Sequence, residues 1–228
     1  MLFCSQLLDY SHKEHRADAE RAEQLLSLLT PVAKACMTEW GFEACDLGIQ
    51  VFGGHGYITE SGIEQRLRDV RITRIYEGTN GIQALDFLGR KVLADEFRSL
   101  QLYIDEIGSF CSQYIGDEYV GQWVEVMLGQ LKQWESINNS LKSADSKFAM
   151  EALAFDYLMY TAYTILAYQW LRIACSELQI ESESNRDWVR QKLLVTRFCY
   201  RRILPRSEYH SAVLLSGVGT EDCIYTNR

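Results

Sequence analysis

Two short stretches of this 228-residue chain hold side chains whose types and order suit chemistry: QVFGGHGY, from Gln50 to Tyr57, and IYEGTNGIQ, from Ile75 to Gln83, joined through RLRDVRI. In the second, Glu77 offers a carboxylate directly before Gly78, and a carboxylate in such a place can act as a general base. It could equally end one helix or precede the next, where negative charge suits a helix N-terminus. Thr79 and Asn80 open the run GIQALDFLGRK. A helix start presents free N–H groups and a positive dipole end, able to hold a phosphate or ribose oxygen, and either residue can also serve as a plain N-cap. In the first stretch, Gly53 and Gly54 permit close backbone approach, while the Gln50 amide can satisfy ribose or phosphate oxygens. A helix C-cap with a tight turn would need no more than the Gly-Gly pair. His55, alone in its glycine-rich loop, is assigned no role.

Helices are expected to position these residues. Met1 to about Tyr10 reads as a short apolar helix, followed by the charged connector SHKEHRADAE. A long run from about Asp18 to Val51 keeps Ala22, Leu25, Leu29, Val32 and Cys36 at helical spacing. Thr30-Pro31 interrupts it, either as a restart with Thr30 as cap and Pro31 in first position or as a kink. Gly53-Gly54-His55-Gly56 ends the run. Ser61 to about Ile75 forms another helix, and the break Gly78-Thr79-Asn80-Gly81 separates it from one reaching about Leu93.

Beyond Ala94 the pattern becomes plain amphipathic. Phe97, Leu100, Ile104, Ile107 and Cys111 form one stripe, and Val120, Val124, Met127, Leu131 and Trp134 a second. The run from about Asp145 to Leu178 is apolar on more than one face, as in a central bundle helix, with Tyr157, Tyr160, Tyr163, Tyr168 and Trp170 in core and interface packing. Asp187 to Leu204 makes a last helix, stopped by Pro205. Arg186, Arg190, Arg197 and Arg201 share one face of it, expected to be solvated. Arg206 to Arg228 shows no periodicity and reads as a loose tail.

The fold class is therefore all-α, in keeping with only two prolines in the chain. A content of 47% hydrophobic and 24% charged residues is ordinary for a soluble globular protein. A net charge of -8 argues against a nucleic-acid partner. Seven scattered cysteines, odd in number and never in a C-x-x-C pair, suggest reduced thiols in a cytoplasmic setting, without a metal site or a disulfide framework. No apolar run is long enough for a transmembrane segment, and the start lacks the basic region of a signal peptide. Apolar residues follow Met1 at once, as though the chain entered in the middle of a helix.

Taken in this order, with Arg68-Asp69 between them, QVFGGHGY and IYEGTNGIQ resemble the carboxy-terminal signature of acyl-CoA dehydrogenases. The likeness runs from about Ala22 to Leu93, and the wording LLTPVAKA and ALDFLGRK is similar to long bacterial members that include 3-methylmercaptopropionyl-CoA dehydrogenases. It implies a flavoenzyme of fatty acid metabolism that oxidises an acyl-CoA thioester to the 2-enoyl-CoA. A carboxylate removes the α-proton while the β-hydrogen leaves as hydride to the flavin of FAD. Glu77 matches the family's catalytic base, and Gly78 beside it leaves room for the substrate's thioester carbonyl or acyl chain. Thr79 and the residue two further on match FAD contacts; many members carry Gln at that second position, where this chain has Gly81, so a side-chain contact is lost there. Gln50, Gly53 and Gly54 match a motif that touches the adenosine-diphosphate part of FAD across a subunit interface.

The resemblance further implies a partial C-terminal helical bundle over residues 1–94, an appended helical bundle over 95–205, and the tail over 206–228. It implies a homo-oligomer, or pairing with a chain that carries the amino-terminal and β-domains, and electron-transfer flavoprotein as a candidate acceptor. Two readings follow: the catalytic-base portion of a split or shortened dehydrogenase, or a non-catalytic helical interaction module derived from that family. The isolated chain is expected to be inactive and to bind FAD weakly, since it holds only the edge of the site.

Overall fold

The computed structural model describes residues 2–12, 16–142, 147–178 and 186–216, and in these the backbone consists of helices and turns with no strand. The all-α class follows directly. The chain divides into two compact units, Met1–Lys91 and Val92–Arg228.

The first unit is organised on one long helix. Helix α1 (Leu2–Ser11), α3 (Gly54–Tyr57), α4 (Ile63–Thr73) and α5 (Asn80–Leu85) all pack on α2 (Arg16–Phe52). The periodic residues Ala22, Leu25, Leu29, Val32 and Cys36 are buried as their spacing requires, together with Leu28 and Ala35. The restart expected as one alternative at Thr30-Pro31 is absent, because α2 runs through Pro31. Thr30 does not cap a new helix; its hydroxyl donates to the Leu26 carbonyl at 2.6 Å. An interior proline costs about 3 kcal/mol, and burial of Leu28, Leu29 and Val32 on both sides of it supplies more than that.

Further along α2, small residues admit α4. A Cβ added at Gly41 would lie 3.3 Å from Val70 Cγ2, and one at Gly48 3.2 Å from Ile63 Cδ1. Helix α4 starts at Ile63, after a 3-10 turn over Thr59–Ser61 and a left-handed Gly62 with φ 68°, and it ends at Thr73 rather than near Ile75. Helix α5 passes into a π-helical stretch, Asp86–Leu93, whose Lys91 Nζ donates to Ser27 Oγ of α2 at 2.6 Å.

The second unit contains α6 (Arg98–Ser112), α7 (Gly121–Lys142), α8 (Lys147–Leu178), α9 (Arg186–Phe198) and α10 (Arg206–Ser216), with a π turn, Cys199–Ile203, following α9. Both predicted stripes are buried in full, from Phe97 to Cys111 and from Val120 to Trp134. Helix α8 is central: α7, α9 and α10 all pack on it, and Tyr157, Tyr160 and Tyr168 are fully enclosed. Buried phenols need partners, and two find them on α7: the Tyr157 hydroxyl donates to Asn138 Oδ1 at 2.6 Å, and the Tyr160 hydroxyl to the Gln130 carbonyl at 3.0 Å. Of the arginine face on α9 and the turn after it, Arg190, Arg197 and Arg201 are exposed.

The loose tail expected from Arg206 is corrected over its first half, because Pro205 is followed at once by α10. Helix α10 buries Ser207, Ser211 and Leu214 at helical spacing. Gln130 Nε2 donates to Ser207 Oγ at 2.7 Å, and His210 Nδ1 lies 2.7 Å from Asp156 Oδ1 of α8. The His210 ring also stacks on Tyr163, with centroids 5.8 Å apart. Polar residues thus hold a helix that apolar periodicity does not announce. The rest of the expected tail, 217–228, lies outside the described residues. No helix among the described residues is long and apolar enough to cross a membrane.

Leu214 is 1% exposed, so Leu214→Ala should lower the free energy of unfolding by about 2–5 kcal/mol. Urea denaturation measures this, and a change near zero would mean that α10 does not pack.

Candidate functional site

The turn between α4 and α5 carries Glu77, and side chains hold it at several points. Glu77 has φ 55° and Gly78 φ 83°, two successive left-handed residues that reverse the chain sharply. Such a φ is natural for glycine and strained for glutamate. Gln83 Nε2 donates to the Glu77 carbonyl at 3.0 Å, and Lys34 Nζ of α2 donates to the Gly78 carbonyl at 2.7 Å. The Asn80 N–H closes the turn on the Arg74 carbonyl at 3.2 Å. Thr79 is the N-cap of α5, its hydroxyl accepting from the Ile82 N–H at 3.3 Å.

Asn80, read from sequence as a cap or cofactor contact, is instead buried and reaches back to α2. Its Oδ1 accepts from Lys34 Nζ at 2.8 Å, and its Nδ2 donates to Glu39 Oε1 at 2.7 Å and to the Thr38 hydroxyl at 3.0 Å. Arg74 completes the cluster with a bidentate pair to Glu39, at 2.9 Å from Nε and 2.6 Å from the outer nitrogen, and lies 4.9 Å over the Phe42 ring. Burial pulls the Lys34 ammonium below its ordinary pKa, against the opposing influence of the Glu77 and Glu39 carboxylates.

The Glu77 carboxylate itself is exposed and makes no hydrogen bond or ion pair among the described residues. Its backbone is fixed while its acidic group is free. Glu77 does not end α4, which stops at Thr73, but it does precede α5, lying two residues before the Thr79 cap.

The first stretch lies at the C-terminal end of α2, whereas the Glu77 turn is anchored at its middle. Gly53, with φ 61° and ψ -142°, adopts a conformation reserved for glycine. Gly56 is buried, and a Cβ there would come within 2.5 Å of the Ile49 carbonyl oxygen. Gly54 differs from both: its φ is ordinary and a Cβ would meet nothing within 4 Å. Gly81 likewise has free space, its nearest neighbour being Thr79 Oγ1 at 3.8 Å. Backbone conformation thus requires glycine at Gly53 and packing requires it at Gly56, while neither does at Gly54 or Gly81. Gln50, Gly53, Gly54, Thr79 and Gly81 are all exposed, and Gly78 is half-buried. Along α2 the anchors of the Glu77 turn, Lys34 to Glu39, and the Gly53 turn are separated by roughly 20–28 Å at about 1.5 Å per residue.

Lys34, Glu39, Arg74 and Gln83 escaped sequence reasoning. The available signal was a lysine between two alanines on the apolar side of α2, four residues before Thr38.

With this geometry in view, the relationship to known proteins is direct. The family described as the acyl-CoA dehydrogenase C-terminal domain matches residues 10–93, and the one described as acetyl-CoA dehydrogenase C-terminal like matches residues 103–220. The chain belongs to the acyl-CoA dehydrogenase family and carries its C-terminal helical domains. Among curated relatives, 3-methylmercaptopropionyl-CoA dehydrogenase of Ruegeria pomeroyi is 42% identical over 103 residues, 45% of this chain and 17% of that protein. A crystal structure of an acyl-CoA dehydrogenase complexed with FAD from Bacillus anthracis superposes with a TM-score of 0.70 at 17% identity, covering 96% of this chain and 38% of the other. Caenorhabditis elegans ACDH-11 in complex with C11-CoA gives 0.66 at 21% identity, covering 99% and 37%. The chain therefore spans well under half the length of these proteins.

The contrast between the glycines is measurable. Gly56→Ala should cost about 1–3 kcal/mol of stability by overpacking, whereas Gly54→Ala should be neutral or stabilising by up to about 1 kcal/mol. Chemical denaturation of the two variants side by side would contradict this account if Gly54→Ala were the more damaging.

Proposed function

We propose that this chain is the C-terminal portion of an FAD-dependent acyl-CoA dehydrogenase in which Glu77 removes the α-proton of an acyl-CoA thioester. The observation that carries the reading is the free carboxylate on a fixed turn: Glu77 has its backbone held at consecutive carbonyls by Gln83 and Lys34, and its carboxylate is left unpaired. A base for so weak a carbon acid has to be both available and well placed. Gly78, beside it, leaves space for the thioester.

The residues fit an FAD edge. Thr79 keeps its hydroxyl proton available while its oxygen caps α5. Gly54 and Gly81 lack side chains for no reason internal to the chain, which suits close approach of a cofactor, and Gln50 is exposed for a polar contact. When bound, FAD would accept the β-hydrogen as hydride, and electron-transfer flavoprotein is a candidate for the next acceptor. Thr79 and Gly81, anchored beside the middle of α2, and Gln50, Gly53 and Gly54, at its C-terminal end, would hold the cofactor. All five lie on open surface, so the remainder of the flavin's enclosure has to come from other surfaces.

A second reading, a helical interaction module without catalysis, is favoured by the exposed apolar side chains of the first unit, among them Val51 at 84% and Tyr57 at 81% exposure. Such surface marks association. A colourless oligomer that takes up no flavin would support it.

In a flavin-loaded assembly containing this chain, Glu77→Gln should leave acyl-CoA binding intact and slow flavin reduction by about 10²- to 10⁴-fold or more. Thr79→Ala should weaken FAD retention by about 0.5–1.5 kcal/mol and spare proton transfer. Stopped-flow absorbance of the flavin reads the first and equilibrium flavin release the second. Undiminished reduction in the Glu77→Gln assembly would remove the catalytic assignment. The chain alone should show little visible absorption after added FAD is dialysed away.

A further inference from the structure

We propose that Lys34 is a positioning residue for Glu77, its ammonium holding the left-handed turn that presents the carboxylate; this rests on the reading of Glu77 as the base. The turn needs such a device. Two successive residues with positive φ, the first of them not glycine, form a backbone that the local sequence does not favour. Strain of this kind persists only where surrounding contacts over-determine it.

Gln83 of α5 holds the Glu77 carbonyl, and Lys34 is the contact from α2 that touches the turn's backbone directly. Its Nζ donates at 2.7 Å to the carbonyl of Gly78, the residue immediately after the base, and at 2.8 Å to Asn80 Oδ1, the side chain that roots the turn in α2. Two of its three donors are thus engaged, and one ammonium fixes the end of the turn in both backbone and side chain. Charge-assisted bonds of this length are stronger than neutral ones. The lysine rises from the stretch of α2 that buries Val32, Ala35 and Cys36. A side chain serving only to fill space there would not need a charge, whose partial burial is unfavourable. The ammonium also lies within electrostatic reach of the Glu77 carboxylate. A mobile turn would spread the carboxylate over many positions, whereas a clamped one restricts it.

The test uses the full chain, isotopically labelled, and compares Lys34→Met with Thr38→Val. The second variant removes a different partner of Asn80 without reaching Gly78. In Lys34→Met the Gly78 carbonyl carbon should lose the shift due to its charged donor. The Asn80 amide, which closes the turn on Arg74, should exchange with solvent about tenfold faster, as expected for loss of one hydrogen bond. In Thr38→Val both readouts should stay near wild type. Should Lys34→Met fail to fold, Lys34→Gln, which keeps a polar head, serves with the same readouts. In a flavin-loaded assembly, Lys34→Met should slow flavin reduction by about 10²-fold with acyl-CoA affinity retained, the scale expected of a misplaced reacting group. Lys34→Arg, keeping charge and donors, should recover part of the rate. A wild-type Gly78 signal and Asn80 protection in Lys34→Met overturn the proposal by themselves. A loosened turn combined with flavin reduction indifferent to Glu77→Gln instead overturns the assignment of the base, and the positioning role with it.

Discussion

A single buried amide organises the chemistry-bearing part of this protein. The Asn80 side chain is 4% exposed, and a buried amide without partners would be costly. Its oxygen is matched to an ammonium and its nitrogen to a carboxylate, both from α2 and five residues apart on that helix. The orientation is therefore unambiguous, since a flipped amide would face like against like. Because Asn80 is also the first residue of α5, satisfying its side chain fixes where that helix starts, and hence the length of chain left to span from Thr73. Everything between, Glu77 included, has to fit the remaining gap. Arg74, the residue that follows α4, binds the same Glu39, so both ends of the turn are tied to one carboxylate.

Most of the helices were legible in the sequence because their burial is apolar and periodic. The stripes of α6 and α7 match the core residue for residue, as does the first part of α2. Where legibility failed, the cause was burial by other means. Helix α10 presents two serines and one leucine to the interior, so no hydrophobic period marks it, and the partners that accept it, Gln130 and Asp156, lie far away in sequence. Pro31 was a local signal overruled by tertiary packing. In the site, the residue types of the two glycine-containing stretches were readable from their order. The reach of Asn80 to Lys34 and Glu39 was not, since those partners are more than 40 positions distant. The same pairing explains why a reading limited to local sequence could see in Asn80 only a cap or a cofactor contact.

The second unit shows how differently buried polarity can be used. The thiols of its described residues are shut away from water: burial pushes Cys111 up to about 11 and Cys175 and Cys199 up to about 12. Such groups stay protonated and are poor nucleophiles. Two of its phenols, Tyr157 and Tyr160, point their hydroxyls at an amide and a carbonyl oxygen on α7. These groups specify which helix lies beside which, and none is presented to a reactant. In the first unit a carboxylate stands free beside a network in which its neighbours are consumed.

The backbone angle at position 77 has a bearing on the history of the chain. A left-handed residue bearing a Cβ is disfavoured by about 1–2 kcal/mol, a large share of the margin by which a domain of this size stays folded. Glycine would relieve that strain, and asparagine would relieve part of it. Drift under selection for folding alone should therefore have moved this position toward one of them. A glutamate at φ 55° is the opposite of what thermal stability would choose.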